Sequence, residues 1–479
     1  MVGIVLLACM VGISAAYGFF LISGGLVALI YVLILYAILG RNTASGIKDV
    51  FFWVMFMAVF LAASIHKFTG YSAYYVLELC LIVAAPLLVI RLVHLVNESS
   101  FFRLWFAAFS VFLLLSLLSS VFGRSNELAA AYQFISNLKI VLLLLIGFYI
   151  TWSPRTETVF WWLIQWLWLP MMLLVAWQWG HPSSYFGLMG HASPASADPL
   201  NLFPSRALGA FQHPTYLGLY AGVFTIFCFL NATLGAGRRY IIFGVCYFFL
   251  LLASTQRQET VAAIVVIAGI ISLLQGKRFI IRNAIIGLFV ILLVGGGAWF
   301  QFNDNLMNEA ERWGLIGHDK IEQPRQLLYY HSVDIANQNA PLGSGLGTFA
   351  GAGALKFDIS LYLDRGFNKF SWFYTQNVLM DTYWANFLAE TGWAATLLFM
   401  FLLLLLIWYP AAQSLKDFPP EVQRVWLMAF AGMSFTLILS LTSPAFQDPG
   451  LFLVPGVFLG VAYNRTARWV SKEKSRHGG

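Results

Sequence analysis

The amino-acid sequence predicts an all-α, polytopic integral membrane protein. Of its 479 residues, 60% are hydrophobic and only 10% are charged, whereas soluble domains carry about 25% charged residues. The mean hydropathy is +0.76, and long apolar runs recur along the chain. Runs of about 18 or more residues can cross a bilayer as helices. Because backbone groups in lipid must be satisfied within the segment, continuous runs indicate helices and not a barrel.

We predict about 14 transmembrane helices, and their bounds follow the apolar runs. In chain order they are 3–20, 24–40, 50–65, 73–91, 102–122, 132–152, 158–179, 207–231, 239–253, 261–275, 279–300, 383–409, 425–444 and 449–464. The break between the first two rests on Ser23–Gly25. The first segment lacks the basic start of a signal peptide and is expected to be retained. Residues 1–200 would form an N-terminal helical unit, and 201–479 a core that includes a large loop at 301–382.

Loops rich in Lys and Arg alternate along the chain with loops that contain few of them, and this alternation predicts the topology. One set of loops and the C-terminal tail are basic, with Arg41, Lys48, Arg91, Arg103, Arg155, Arg238, Arg239, Lys277, Arg278, Lys416, Arg424, Arg465 and Arg468 among them. By the positive-inside rule these loops and both termini are cytoplasmic. The long connections 181–206 and 301–382 then face outward. The inner loops are short and contain no P-loop, so any chemistry is expected outside and without ATP.

Several classes of site are excluded by composition and spacing. The net charge is +7, but no basic patch with interleaved aromatics indicates a nucleic-acid partner. The cysteines lie in apolar runs, without metal spacing, and are expected to pack: Cys9, Cys80, Cys228 and Cys246. The glycine cluster Gly343–Gly347 follows a proline and is interpreted as a turn and not as a phosphate loop. We expect no cofactor and no metal.

Arg257 is the most informative residue, because it lies in a polar island, Ser254–Thr260, between two apolar stretches. An ionisable side chain at the membrane is a functional-site hypothesis, and the guanidinium fork suits phosphate. The alternative is a solvated turn whose charge reaches the interface.

Two further basic segments are expected on the outer face. Arg206 closes the loop 181–206, and His213 precedes Pro214 at a predicted helix start, where a plain helix cap is the alternative. Pro324 begins an amphipathic segment, predicted to lie on the outer membrane surface, with Arg325 in its first turn. A cation at a helix N-terminus is unfavourable alone but fits a site that binds an anion. A surface arginine is the alternative.

Two carboxylates lie at the outer end of the helix 383–409. Asp381 is a candidate general base or an N-cap, and Glu390 lies about two turns deeper and needs a partner. Together with Arg206, Arg257, Arg325 and His213, these two carboxylates form a set of side chains suited to a site for a lipid-linked diphosphate. Cations would hold the leaving group, and a carboxylate or imidazole would take a proton from the attacking hydroxyl.

The order of these segments resembles the O-antigen ligase and polymerase superfamily, which includes the Wzy-type polysaccharide polymerases. The similarity covers roughly 205–465 and rests on Leu208–Leu217, Ser254–Arg257, Arg325 ahead of Pro341–Phe349, and Asn386–Gly392. The resemblance implies an inverting, GT-C-like membrane glycosyltransferase that uses undecaprenyl-diphosphate-linked glycans on the periplasmic side. It also implies that Arg257 and Arg325 bind the diphosphate, with Arg206 as a third candidate.

One departure from the family pattern matters. Ligases typically have a His-Asn pair before the segment ending in Glu-x-x-Gly or Glu-x-Gly, whereas this chain has Asp381–Thr382 nine residues before Glu390. The departure argues against a histidine base at that place and makes Asp381 the candidate substitute. It favours a polymerase over a ligase.

We therefore expect a polymerase of exopolysaccharide or O-antigen repeats in the bacterial inner membrane. Its expected partners are an undecaprenyl-diphosphate-linked oligosaccharide, the bilayer, and chain-length and export proteins. One alternative is a ligase that transfers polymer to a lipid core or a protein. The other is a transporter of lipid-linked glycan, which the helix count suits but which the lack of an internal repeat argues against.

Overall fold

The computed structural model of the protein describes residues 43–62, 65, 74–189, 203–275, 324–374, 379–380 and 382–477. Within these ranges the regular structure is helical, and no strand occurs. The helices are α1 (Thr43–Phe60), α2 (Tyr74–Glu98), α3 (Ser100–Phe122), α4 (Glu127–Tyr149), α5 (Pro154–Trp166), α6 (Trp168–Gly180), α7 (Pro182–Met189), α8 (Pro214–Thr233), α9 (Arg239–Ala253), α10 (Arg257–Gln275), α11 (Pro324–Gln338), α12 (Ala352–Phe357), α13 (Ser360–Asp364), a 3-10 turn (Phe367–Lys369), α14 (Tyr383–Ser414), α15 (Pro420–Leu439) and α16 (Pro449–His477).

The prediction of an all-α membrane protein is confirmed. Eight helical segments of the described chain are long and apolar enough to cross a bilayer, with α5 and α6 together forming one of them. Each predicted span inside the described ranges overlaps a helix, and α9 matches 239–253 in both bounds. The spans 3–20, 24–40 and 279–300 lie outside the described residues, so the total of 14 stays a prediction.

Many helices begin where the sequence supplies a cap or a proline. The side chain of Asn126 accepts a hydrogen bond from the Leu128 N–H at 3.0 Å, and Ser153 accepts one from the Thr156 N–H at 3.2 Å. Such caps satisfy backbone donors that the first helical turn leaves without partners. Proline, which has no N–H, is tolerated there and begins six helices of the described chain: Pro154, Pro182, Pro214, Pro324, Pro420 and Pro449.

The centre of the bundle is formed by α4, α14, α15 and α16. Helix α16 packs against α4 and α15, and α14 packs against α15 and α3, while α8 joins α9, α10 and α15 on the other side. At the crossing of α4 and α16, an ideal Cβ at Gly460 would lie 2.0 Å from the carbonyl carbon of Gly147. Helices in membranes approach this closely only through small residues, so this glycine pair sets the position of α16 in the core.

Residues 324–374, here the loop unit, fold around their own apolar core. That core consists of Leu327, Leu328, Ile335, Phe349, Ala350, Ala354, Leu361, Tyr362, Phe367 and Phe373, and it continues onto Leu379, Ala385 and Ala389. Helix α11 has the predicted start and end. Its apolar face packs against α14 and the rest of the loop unit and so is covered by protein, while its position at the membrane surface stays a prediction.

Helix α14 is interrupted at Gly392, where the backbone has φ +76° and ψ 179°. An ideal Cβ at this position would lie 2.8 Å from the carbonyl carbon of Leu342. Glycine is therefore required both for the backbone conformation and for the close approach of the loop unit.

We call the end of the bundle that carries the loop unit the loop end. The opposite end, where the charged part of α16 emerges, is the tail end.

The loop unit is expected to lose stability when the pH falls below about 6.5, the ordinary pKa of histidine. Burial lowers the pKa of His331, Arg365 lowers it further, and Asp334 opposes them. The folded unit favours the neutral imidazole, so below pH 6.5 the unfolded unit binds more protons than the folded unit does. The free energy of unfolding therefore decreases as the pH falls, until the pH is below the pKa of His331 in the folded unit.

Amide hydrogen exchange in α11, expressed as protection against the intrinsic rate, would measure this change between pH 7.5 and 5.5. His331→Gln, which cannot titrate, is the matched control and should show a smaller decrease. An equal decrease in both proteins would assign the effect to other groups.

Candidate functional site

The arginines predicted to bind diphosphate lie on segments that meet at one turn. This turn, residues 438–442, comprises the last two residues of α15 and the three that follow them. In α10, the Gln258 amide donates to the Ile438 carbonyl and accepts from the Thr442 hydroxyl. In α11, the Tyr329 hydroxyl donates to the Leu441 carbonyl at 2.8 Å. Arg257 begins α10 and Arg325 lies in the first turn of α11, so both arginines belong to the first turns of helices that contact the 438–442 turn.

A carboxylate that sequence reasoning missed lies among these arginines. Glu259 is only 4% exposed and interacts electrostatically with both Arg325 and Arg206. It is two residues after Arg257, in the first turn of α10. The structure thus brings segments carrying Arg206, Arg257 and Arg325 to one end of the bundle. The available signal was an acidic residue next to Arg257 at the start of an apolar helix.

The backbone around Arg206 is held against the end of α9. The Ala207 N–H donates to the Ala253 carbonyl at 3.0 Å, directly before the polar island. The Gln178 side chain donates to the Arg206 carbonyl and accepts from the Leu208 N–H, each at 2.8 Å. These bonds position Arg206 from two helices, although it lies in a loop.

Of the described residues, the segments that meet here carry three guanidinium groups and one buried carboxyl group, those of Arg206, Arg257, Arg325 and Glu259. Each of the three arginines is half-buried. Electrostatic interactions of half-buried charges are screened less by solvent than those at an open surface. Burial raises the pKa of Tyr329 to about 12, against the effect of Arg325, so its phenol stays protonated and can donate. Such a region can bind a multiply charged anion.

His213 forms the N-cap of α8, as the alternative interpretation expected. Its Nδ1 accepts from the Thr215 N–H at 3.3 Å and lies 3.0 Å from the Thr215 hydroxyl, and its side chain is exposed. One turn further on, an ideal Cβ at Gly218 would lie 2.9 Å from the Gln256 side chain. His213 is thus at the same end of the bundle as the arginines. Its role in proton transfer stays a prediction.

Asp381, the other candidate base, lies outside the described residues. Its neighbours Thr382 and Tyr383 are buried at the start of α14. Trp384, one residue further, donates from its indole N–H to the Ser440 hydroxyl at 3.1 Å, within the 438–442 turn.

Glu390 is fully buried and binds the glycine cluster of the loop unit. Its Oε1 accepts from the Phe349 N–H at 3.1 Å, and the backbone N–H groups of Gly347 and Thr348 and the Asn386 amide also interact with it. The interpretation of the cluster as a turn agrees with the structure. The turn nevertheless forms an anion cradle, which the protein's own carboxylate fills. Glu390 therefore has a structural role, and a catalytic one stays a prediction.

A buried network of amide side chains, also missed from the sequence, joins the loop unit to the bundle. Gln133 donates to Asn386 Oδ1 at 3.1 Å and to Asn137 Oδ1 at 3.2 Å. Asn386 donates to the Phe349 carbonyl at 2.9 Å, and Gln447 donates to Asn137 at 2.6 Å. The signal in the sequence was a pair of amides four residues apart in an apolar helix. The network fixes the loop unit relative to the segment that follows the 438–442 turn.

Comparison with protein-family models found no match to this chain, and comparison with curated proteins found no significant similarity. The resemblance of the loop-end segments to the O-antigen ligase and polymerase superfamily stays a prediction from the sequence. The function is therefore inferred from the chemistry of the site.

Proposed function

We propose that the protein is a GT-C-like, inverting glycosyltransferase that polymerises repeat units on undecaprenyl diphosphate. It would transfer the glycan from one carrier lipid to a sugar hydroxyl of a second lipid-linked repeat, at the periplasmic face. The observation that carries the proposal is the gathering of Arg206, Arg257 and Arg325 at one end of an apolar bundle. This arrangement supports binding of a diphosphate at the membrane edge.

The reaction needs one displacement at the anomeric carbon. The acceptor oxygen forms a bond to this carbon as the bond to the phosphate oxygen breaks, which inverts the configuration. Undecaprenyl diphosphate leaves with the electron pair, and Arg257 and Arg325 stabilise the charge that develops on it. The acceptor proton passes to Asp381 or His213. The chemistry is supplied by side chains of this chain, and no step is assigned to a cofactor or metal.

Glu259 would act as a positioning residue in this scheme. A carboxylate between guanidinium groups reduces their mutual repulsion and restricts their side-chain conformations before the substrate binds. Its buried position beside Arg206 and Arg325 supports this role.

The proposal is tested with the full-length protein in sealed proteoliposomes that contain a defined lipid-linked repeat. We expect a ladder of products of increasing length on a gel, with release of undecaprenyl diphosphate. Uptake of labelled lipid-linked repeat without a new glycosidic bond would instead identify a transporter.

The ligase alternative is distinguished in cells that lack the gene. Loss of a polymerase leaves single repeats on the carrier lipid, whereas loss of a ligase leaves long polymer on it. Accumulation of long polymer would contradict the proposed polymerase.

A further inference from the structure

A second charged site lies at the tail end of the bundle, across the membrane from the arginines of the loop end. It is a cavity of about 620 Å³ between α2, the end of α4 and the C-terminal part of α16, with Lys48 of α1 also lining it. In α4, Asn137 belongs to the amide network and Tyr149 lines this cavity. Twelve residues of helix separate them, about 18 Å. The positive-inside rule assigns this end to the cytoplasm.

The cavity is lined by an excess of positive charge. Lys48, Arg91 and Arg468 line it, with His94 and one carboxylate, Glu98. Glu98 lies 3.5 Å from Arg91 and is 48% exposed. The histidine aside, the described lining residues carry three positive charges and one negative. A buried carboxylate, Asp49, also acts on Arg468 and accepts hydrogen bonds from the chain on both of its oxygens, and one positive charge remains in excess when it is counted.

Carbonyl groups in the last turn of α4 and directly after it hold the two arginines in place. A helix leaves its last carbonyls without partners. Arg91 Nε donates to the Phe148 carbonyl at 3.1 Å, and Arg468 Nη2 donates to the Thr151 carbonyl at 2.9 Å. Asn464 accepts from Arg91 Nη2 at 3.1 Å. A guanidinium has five N–H donors, and these bonds to neutral acceptors use two on Arg91 without neutralising its charge.

Lys48 is positioned by an aromatic ring, and among the described residues no carboxylate forms an ion pair with it. Lys48 Nζ lies 5.3 Å from the centre of the Tyr149 ring, within the range of a cation–π interaction. Its side chain is exposed, so the ammonium group remains accessible to a ligand.

The rim of the cavity continues into an apolar surface of α2. Leu87 and Ile90 line the cavity and are 40% and 58% exposed. Leu79, Ile82 and Val83 are exposed to 58% or more and follow the same helical spacing. In a chain that spans the membrane, such a face contacts acyl chains. A ligand with a charged head at the cavity and hydrocarbon along α2 would match both surfaces.

We propose that this cavity binds the phosphate headgroup of an anionic phospholipid of the cytoplasmic leaflet. Basic pockets between transmembrane helices on this side of a membrane attract such headgroups. A free phosphate would match the charges but would leave the α2 surface unused. The proposal does not depend on glycan transfer, because the two sites lie at opposite ends of the bundle.

The test is native mass spectrometry of the purified full-length protein, titrated with phosphatidylglycerol or phosphatidylcholine in detergent. We expect preferential binding of phosphatidylglycerol. A Lys48→Gln/Arg468→Gln variant should bind it about 25-fold more weakly, since each basic residue near the surface is worth about 1 kcal/mol. Lys48→Gln alone, which breaks no hydrogen bond to the backbone, should lose about fivefold and guards against misfolding of the double variant.

The matched control is Arg103→Gln/Lys472→Gln, which removes the same charge from the same end of the bundle at exposed positions that do not line the cavity. It should bind phosphatidylglycerol as the wild type does. Equal binding of the two lipids by the wild-type protein, or equal loss in the control variant, would overturn the proposal. Displacement of bound phosphatidylglycerol by millimolar inorganic phosphate would identify a soluble phosphate as the ligand and overturn it as well.

Discussion

An Arg257→Lys variant is expected to lose about 10²- to 10³-fold in turnover of lipid-linked repeats, the usual cost of removing a well-placed donor to a developing anion. Lysine keeps the charge but lacks the planar fork that binds two phosphate oxygens at once. Arg257 begins α10 beside the 438–442 turn, so its replacement leaves the Gln258 contacts in place. The measurement is the initial rate of chain extension in proteoliposomes.

Arg239→Lys is the matched control for this experiment. Arg239 also begins a helix, lies over the Tyr240 ring at 5.6 Å and belongs to the loops predicted to be cytoplasmic. Its variant should extend chains at the wild-type rate. Near-normal turnover of Arg257→Lys would argue against bidentate binding of the diphosphate, even if the protein proves to be a polymerase.

Gly460→Ala is expected to destabilise the fold by more than about 3 kcal/mol, at the upper end of the cost of overpacking a core. The added methyl would lie 2.0 Å from the Gly147 carbonyl carbon and 2.1 Å from the Phe148 nitrogen. Both are backbone atoms in the last turn of a packed helix, so no side chain can move aside. Helices α4 and α16 would have to separate. The measurement is the thermal unfolding transition of the detergent-solubilised protein.

Gly269→Ala provides the control for the stability experiment. In α10 an ideal Cβ at Gly269 has its nearest neighbour at 3.9 Å, on the Phe430 ring, which is an ordinary contact. Alanine also has the higher helix propensity, so this variant should be as stable as the wild type or slightly more stable. If Gly460→Ala unfolds at the same temperature as Gly269→Ala, the crossing of α4 and α16 is not as close as described.

Helix type and position were predictable because they depend on local composition. The apolar stretch 239–253 coincides with α9, and Pro324 and Pro341 bracket α11 as expected. Helix ends were less predictable. Helix α16 continues to His477 because its charged part extends the helix beyond the apolar run that ended the prediction at 464.

The candidate site was predictable only in part. Arg206, Arg257 and Arg325 could be singled out because each charge stands beside an apolar run. Glu259 was missed because nothing in the local sequence shows that Arg206 and Arg325, distant along the chain, lie near its carboxylate. The partner of Glu390 was missed for the same reason, because the Phe349 N–H comes from another segment.

By itself, the sequence determined the membrane class, the helical backbone and the polar islands, since apolar length and helical capping act over short stretches of chain. Only the tertiary structure decided which islands share a site, that the glycine cluster encloses Glu390, and that Gly147 and Gly460 allow two helices to touch. These features depend on contacts between segments far apart in sequence, where packing and the need to satisfy buried polar groups select one arrangement.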